Sequence, residues 1–141
     1  TIEARIKIHK EIIHAIRDKV GKDYIIGLRL GGCDYREGGS TIEDSVKAAV
    51  LLESYGVDML DISGGMNGYL LPGRKEPGYF SGMAEKIREK VSIPVLLAGG
   101  ITDLQSAEYL LQAGKADLIG VGRAILKDSL WARNMMERAE L

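Results

Sequence analysis

The chain has 141 residues, 45% of them hydrophobic and 28% charged, which fits one compact domain with an ordinary core and excludes a disordered polypeptide. Its 19 basic and 20 acidic side chains leave a net charge of -1, so neither nucleic acid nor an anionic membrane surface is expected as a partner. A single cysteine, Cys33, rules out an internal disulfide; with no signal segment and no apolar run long enough to span a bilayer, a cytoplasmic location is expected.

Thr1 to Val20 places Ile6, Ile13, Ile16 and Val20 at helical spacing among Glu3, Arg5, Lys7 and Arg17, and Gly21 ends the run. Tyr24 to Leu30 reads as a short strand, followed by a loop containing Gly31, Gly32, Gly38 and Gly39. Ser40 with Glu43 predicts a capping box for a helix carrying Val46, Ala49, Val50 and Tyr55, which Gly56 closes. The pattern then recurs. Met59 to Ile62 is a second strand, and Met83, Ile87 and Val91 mark the next helix. Ile93 to Ala98 is a third, wholly apolar strand; Gly99 and Gly100 turn the chain, and Thr102 with Gln105 predicts the cap of a helix carrying Ala107, Leu110 and Leu111. Gly114 ends that helix, and Leu118 to Val121 is the last strand, with Gly122 and Arg123 as its terminal turn. Asp128 predicts the cap of a closing helix through Trp131, Met135 and Arg138.

Four strands that are apolar on both faces and alternate with helices belong to a parallel sheet joined by right-handed crossovers. An open doubly wound sheet and part of a (β/α)8 barrel both satisfy that description. The steps Gly56 to Asp58, Lys22 to Asp23 and Gly114 to Asp117, each entering a strand, form a near-repeat that favours a barrel of like units.

Barrel enzymes bind phosphate on backbone N–H groups of the loops after the last two strands, next to a helix N-terminus. Gly99 and Gly100 follow the third strand here and Gly122 the fourth, and Arg123 adds a fork of donors. Tight turns plus a surface ion pair would explain the same residues. Alternation puts Ile25, Gly27 and Arg29 on one strand face and Ile26, Leu28 and Leu30 on the other. If Gly27 and Arg29 face the barrel interior, the arginine needs an anionic partner there; an edge position paired with Asp58 or Asp61 is the alternative, and Asp61 is expected first of all to neutralise Arg29. Tyr69, Arg74 and Lys75 lie in the long loop after the second strand, where charged residues are ordinarily just solvated. His9 and His14 sit about 140° apart around a helix, so they do not form a metal or catalytic pair, and no metal site is expected. Cys33 has no histidine near it in sequence and reads as inert. The dinucleotide fingerprint is missing, because Gly120, Val121 and Gly122 are followed by Arg123, Ala124 and Ile125.

The segment IPVLLAGGITDLQSAEYLLQAGKADLIGVGRAILKDSLWARN resembles the C-terminal part of the old yellow enzyme family, the NADH:flavin oxidoreductases. The likeness extends back through the IIGLRL strand to IEARIKIHKEIIHAIRDKVG, similar to the family's helix after its fourth strand. It implies that residues 1–141 are the C-terminal half of a flavin-binding TIM barrel, strands five to eight, from an oxidoreductase that uses FMN and NAD(P)H to reduce small-molecule, enone-like acceptors. Arg29 matches the family's arginine beside the flavin pyrimidine edge, where a fixed cation stabilises the charge that develops on reduction. Gly99 and Gly100 match the phosphate loop after the seventh strand, and Gly122 with Arg123 the pair after the eighth. Ala4, where asparagine is usual, and Ser129, where proline is common, depart from the pattern without touching the flavin. The family's histidine pair and proton-donating tyrosine have no counterpart in this sequence, so no catalytic residue is assigned and the chain alone is expected to be inactive.

Two other readings remain: a phosphate-binding aldolase or isomerase barrel, which lacks support from a lysine or carboxylate pair at a strand end, and a non-catalytic half-barrel module. A half-barrel is expected to self-associate through the open edges Tyr24 to Leu30 and Leu118 to Val121. Its inner face, lined by side chains such as Ile25, Leu97 and Val121 or the neighbour in each pair, would otherwise lose its opposite wall.

Overall fold

The computed structural model describes residues 1–66, 71 and 73–139. Helices α1 (Ile2–Arg5) and α2 (Lys7–Val20) precede β1 (Gly27–Gly31); α3 (Ile42–Ser54), β2 (Met59–Ser63), α4 (Ser81–Arg88), β3 (Val95–Ala98), α5 (Leu104–Gln112) and β4 (Leu118–Gly120) follow. The chain continues through α6 (Arg123–Lys127) and α7 (Trp131–Ala139). The strands form one parallel sheet in the order β1-β2-β3-β4. Sequential order with a helix after every strand is the winding of a (β/α)8 barrel; a doubly wound sheet reverses its strand order partway.

Most elements fall where the spacing predicts, with shifts that have local causes. The long first helix breaks at Ile6, whose φ of −97° and ψ of 6° interrupt it. The cap of α3 is Thr41 with Asp44, one residue beyond the expected Ser40 and Glu43, because Ser40 is already used: its hydroxyl accepts from Arg5 Nη2 and its N–H donates to Asp34 Oδ2 at 2.7 Å. The cap of α5 is likewise Asp103, not Thr102; a carboxylate is the better acceptor at a helix start, and Asp103 takes both the N–H and the hydroxyl of Ser106. β3 begins at Val95 because Pro94 has no N–H to give to a ladder, although its carbonyl accepts from Leu60. The short helix α6 was not expected; Arg123 opens it, and Asp128 ends it while accepting from the N–H of Leu130 at 2.9 Å to start α7.

The two sheet faces have different fates. Leu60, Ile62, Val95 and Leu97 are buried against Ile13 of α2, Leu52 of α3, Met83 and Ile87 of α4 and Leu110 of α5, with Leu28, Leu30 and Ile119 packed on the same cluster. Burying these side chains is the main stabilising term of the fold. The other face carries Gly27, Arg29, Met59, Asp61, Leu96, Ala98, Leu118 and Gly120, none of which joins that cluster. The choice left open for the inner wall is resolved in favour of the neighbours: Leu97 and Val121 pack toward the helices, Ile25 precedes β1 and is 73% exposed, and the open face belongs to Leu96, Ala98 and Leu118. Period-2 alternation assigns two faces but cannot rank them where both are apolar.

At the end of the sheet where strands begin, two aspartates do the same work. Asp58 Oδ2 accepts from the N–H of Ile26 at 2.8 Å and from Arg17 Nη2 at 2.6 Å, and Asp117 Oδ2 accepts from the N–H of Val95 at 2.9 Å while its Oδ1 takes Arg88 Nε at 2.7 Å. Each arginine also donates to backbone carbonyls around the next strand entry: Arg17 to Gly21, Lys22, Tyr24 and Gly56, Arg88 to Gly114. Asp23, grouped with these steps in the sequence, has no such bond among the described residues. The N–H of Ile26 and then Arg17 hold the Asp58 carboxyl below the ordinary carboxylate range. Its folded-state value is thus depressed, so its contribution is complete above the unfolded pKa of about 3.9 and is lost as pH falls through the lower, folded value. Asp58→Ala is expected to lower stability by about 1–2 kcal/mol at pH 7 and by progressively less as pH falls below about 4, read from urea unfolding of both proteins across that range.

Candidate functional site

At the opposite end of the sheet, where β3 and β4 finish, Gly99 and Gly100 adopt φ values of 137° and 68°, which favour glycine. They also lie against one aromatic ring. A Cβ on Gly100 would sit 2.7 Å from Cε1 of Tyr79, and one on Gly99 would sit 3.0 Å from Cε2 of the same ring. Tyr79 is held edge-on to Phe80, with ring centroids 4.6 Å apart, and its hydroxyl accepts from Arg123 Nη2 at 3.0 Å. One buried tyrosine therefore gathers Gly99, Gly100 and Arg123. Sequence reasoning missed it, because Tyr79 reaches this turn only through the parallel sheet and no local spacing signals the contact.

Gly122 directly precedes Arg123, with φ of −115° and no atom within 4 Å of where a Cβ would project. Neither backbone strain nor crowding accounts for a glycine there, whereas the approach of a ligand to the backbone would. Trp131 Nε1 donates to the carbonyl of Thr102 at 2.9 Å, tying α7 to the loop that follows the Gly99–Gly100 turn.

Arg29 stands on the open face of β1, opposite Asp61 of β2 in the ladder. Its Nε donates to Asp61 Oδ2 at 2.7 Å and its Nη2 lies 2.6 Å from the same oxygen. Of the two aspartates considered as partners, Asp61 holds it and Asp58 does not. The arginine side chain stays 64% exposed on the face away from the helices. Three strand spacings separate β1 from β4, so Arg29 and Arg123 lie roughly 14 Å apart along the sheet and do not meet.

Above the ends of β1 and β2, Asp34 knits two loops together: Oδ2 accepts from Ser40 N–H at 2.7 Å and Oδ1 from Met66 N–H at 2.6 Å. Those two N–H groups, Ser40 first, keep its carboxyl below the usual range. Gly65 packs so closely that a Cβ would collide with Asp34 Oδ1. A broad depression opens beside it, rimmed by Arg5 and Arg36. Arg74 pairs with Glu76 at 2.7 Å and Lys75 is exposed, the solvated arrangement expected of loop charges; Tyr69 lies outside the described residues. His9 and His14 are exposed on α2, and the Cys33 sulfur only accepts from Tyr35 N–H at 3.3 Å. Among the described residues no group of metal-ligating side chains comes together, and no helix is long and apolar enough to cross a membrane.

Fold and site together define a singly wound β/α protein with a glycine turn and an arginine at the carboxyl ends of its last two strands. Residues 1–141 match the NADH:flavin oxidoreductase / NADH oxidase family, and the chain belongs to it. It is 36% identical over 141 residues to an NADH oxidase of Thermoanaerobacter brockii, a match covering 97% of this chain and 22% of that protein. It is 35% identical over 137 residues to an NADPH dehydrogenase of Bacillus subtilis, covering 93% of this chain and 38% of that one. Among solved structures it superposes on a 2-naphthoyl-CoA reductase with a TM-score of 0.87 at 25% identity, over 97% of this chain and 22% of the reductase. The chain thus spans less than two-fifths of the length of each of these relatives.

The two classes of glycine at the site separate by stability. Gly100→Ala is expected to cost roughly 1–3 kcal/mol, through its positive φ and the collision with Tyr79. Gly122→Ala is expected to cost under about 1 kcal/mol. Urea unfolding at pH 7 checks both, and equal costs would mean that Gly122 is held by packing after all.

Proposed function

We propose that residues 1–141 are strands five to eight of a flavin-binding barrel, and that this half holds FMN in an oxidoreductase that takes hydride from NADH or NADPH. The observation that carries the reading is the convergence of Gly99, Gly100 and Arg123 on Tyr79, with Arg29 displayed on the open face of the same sheet. The residues present fit the group. Open space at Gly122 admits an anion close to the backbone, Arg123 supplies a guanidinium beside it, and Arg29 supplies a second cation about one ligand length away. When bound, flavin supplies the two-electron chemistry that side chains lack. The polypeptide's part is to bind and to pre-set charge. Arg123 and the turns anchor the phosphate, Arg29 places a fixed positive charge where electron density rises on reduction, and the sheet holds both without reorganisation. Enone-like or related small molecules are the acceptors this reading implies. An aldolase or isomerase barrel has less support, because Asp61, the carboxylate on the open face, is tied to Arg29 and has no acid or base partner beside it.

Arg123→Ala should weaken FMN binding by about 1.5–3 kcal/mol, the scale of a hydrogen bond to a charged group, followed by quenching of FMN fluorescence on titration. Unchanged affinity would remove Arg123 from the phosphate site. We further propose that the 141-residue stretch, produced alone, turns over no NAD(P)H and associates with a second copy. β1 and β4 are the sheet's edges, and Ile8, Ile12 and Val20 of α2 together with Leu126, Leu130 and Met136 are exposed apolar side chains. Pairing of two copies would close eight strands. Sedimentation at micromolar concentration is expected to give a dimer or larger; a monomer that unfolds sharply would show that the open face needs no cover.

A further inference from the structure

Asp61 is an unusual counter-ion for an arginine. Both contacts from Arg29 converge on one oxygen, Oδ2, from Nε at 2.7 Å and Nη2 at 2.6 Å. The second oxygen, Oδ1, is buried and has no hydrogen-bond partner among the described residues. A carboxylate that served only to balance a guanidinium would gain by presenting both oxygens, since the fork-to-fork pair is the stronger arrangement. Burying an acceptor without a donor is unfavourable. The ladder nonetheless fixes Asp61 directly opposite Arg29, on the face that the helices leave uncovered, so its charge reaches whatever Arg29 reaches.

Resting on the flavin reading above, we propose that Asp61 is a positioning residue for the cofactor. Through Oδ2 it fixes the Arg29 guanidinium on the open face and partly neutralises it, so that the pair, rather than the arginine alone, sets the reduction potential of bound flavin. A bare arginine would stabilise the negative charge of reduced flavin more strongly, and Asp61 holds that stabilisation down. At an effective dielectric constant of about 20, a unit charge several ångströms away is enough to matter.

The test compares Asp61→Asn and Asp61→Ala with the parent in the FMN-loaded protein, reading the midpoint potential by dye equilibration and the FMN dissociation constant by fluorescence. Asparagine keeps an oxygen for Arg29 but loses the charge. It should shift the equilibrium toward reduced flavin by roughly tenfold, a rise of about 30 mV for a two-electron couple. Alanine also removes the clamp, so it should lose part or all of that rise and weaken FMN binding several-fold. An unchanged or lowered potential in Asp61→Asn, with FMN still bound, overturns the role of Asp61 and leaves the flavin site standing; equal potentials in the two variants overturn positioning. Failure of the parent itself to bind FMN overturns the flavin reading and this inference with it.

Discussion

The structure depends on a carboxylate gripping the first N–H of a neighbouring strand. Asp58 accepts from Ile26 and returns its own N–H to the Ile26 carbonyl; Asp117 does the same with Val95. Each exchange fixes a register. Counting three residues on from Ile26 and Asp58 reaches Arg29 opposite Asp61, and the pair Val95 and Asp117 leads likewise to Ala98 opposite Gly120. In a parallel ladder a slip of one residue would turn every side chain to the wrong face. The two bonds at the closed end of the sheet therefore determine what meets at the open end, a full strand length away.

That dependence explains what was legible beforehand. The aspartates at 58 and 117 stood out as a repeated step, and glycines at strand ends marked the turns, so the order of the strands and the placement of Gly99, Gly100, Gly122 and Arg123 just after them followed from local pattern. Helix caps were readable only to within a residue. Choosing Thr41 over Ser40 needed the knowledge that Asp34 had already taken the Ser40 N–H. Contacts across the sheet were not readable at all. Tyr79 lies about twenty positions before the turn it supports, and Asp34 joins loops from two different units. The face of β3 that looks inward was equally hidden, since Leu96 and Leu97 are alike in everything but register.

The sheet's two faces also differ in composition. Helices cover one face with large branched side chains, while on the opposite face the carboxyl ends of β1, β3 and β4 carry Gly31, Ala98 and Gly120. At Gly120 the economy of space is strict: a Cβ would approach Leu96 Cδ2 to 2.7 Å. Small residues at those strand ends leave most of the apolar burial to the helical side.

The side-on grip of Asp61 uses one edge of a single guanidinium. Nε and Nη2 are committed to the carboxylate, and Nη1 projects from the far corner of the same rigid plane. Lysine carries its three donors on one nitrogen and could not meet Asp61 through two nitrogens of one rigid plane. A substitution that preserves charge alone would therefore not preserve the two-nitrogen contact to Asp61.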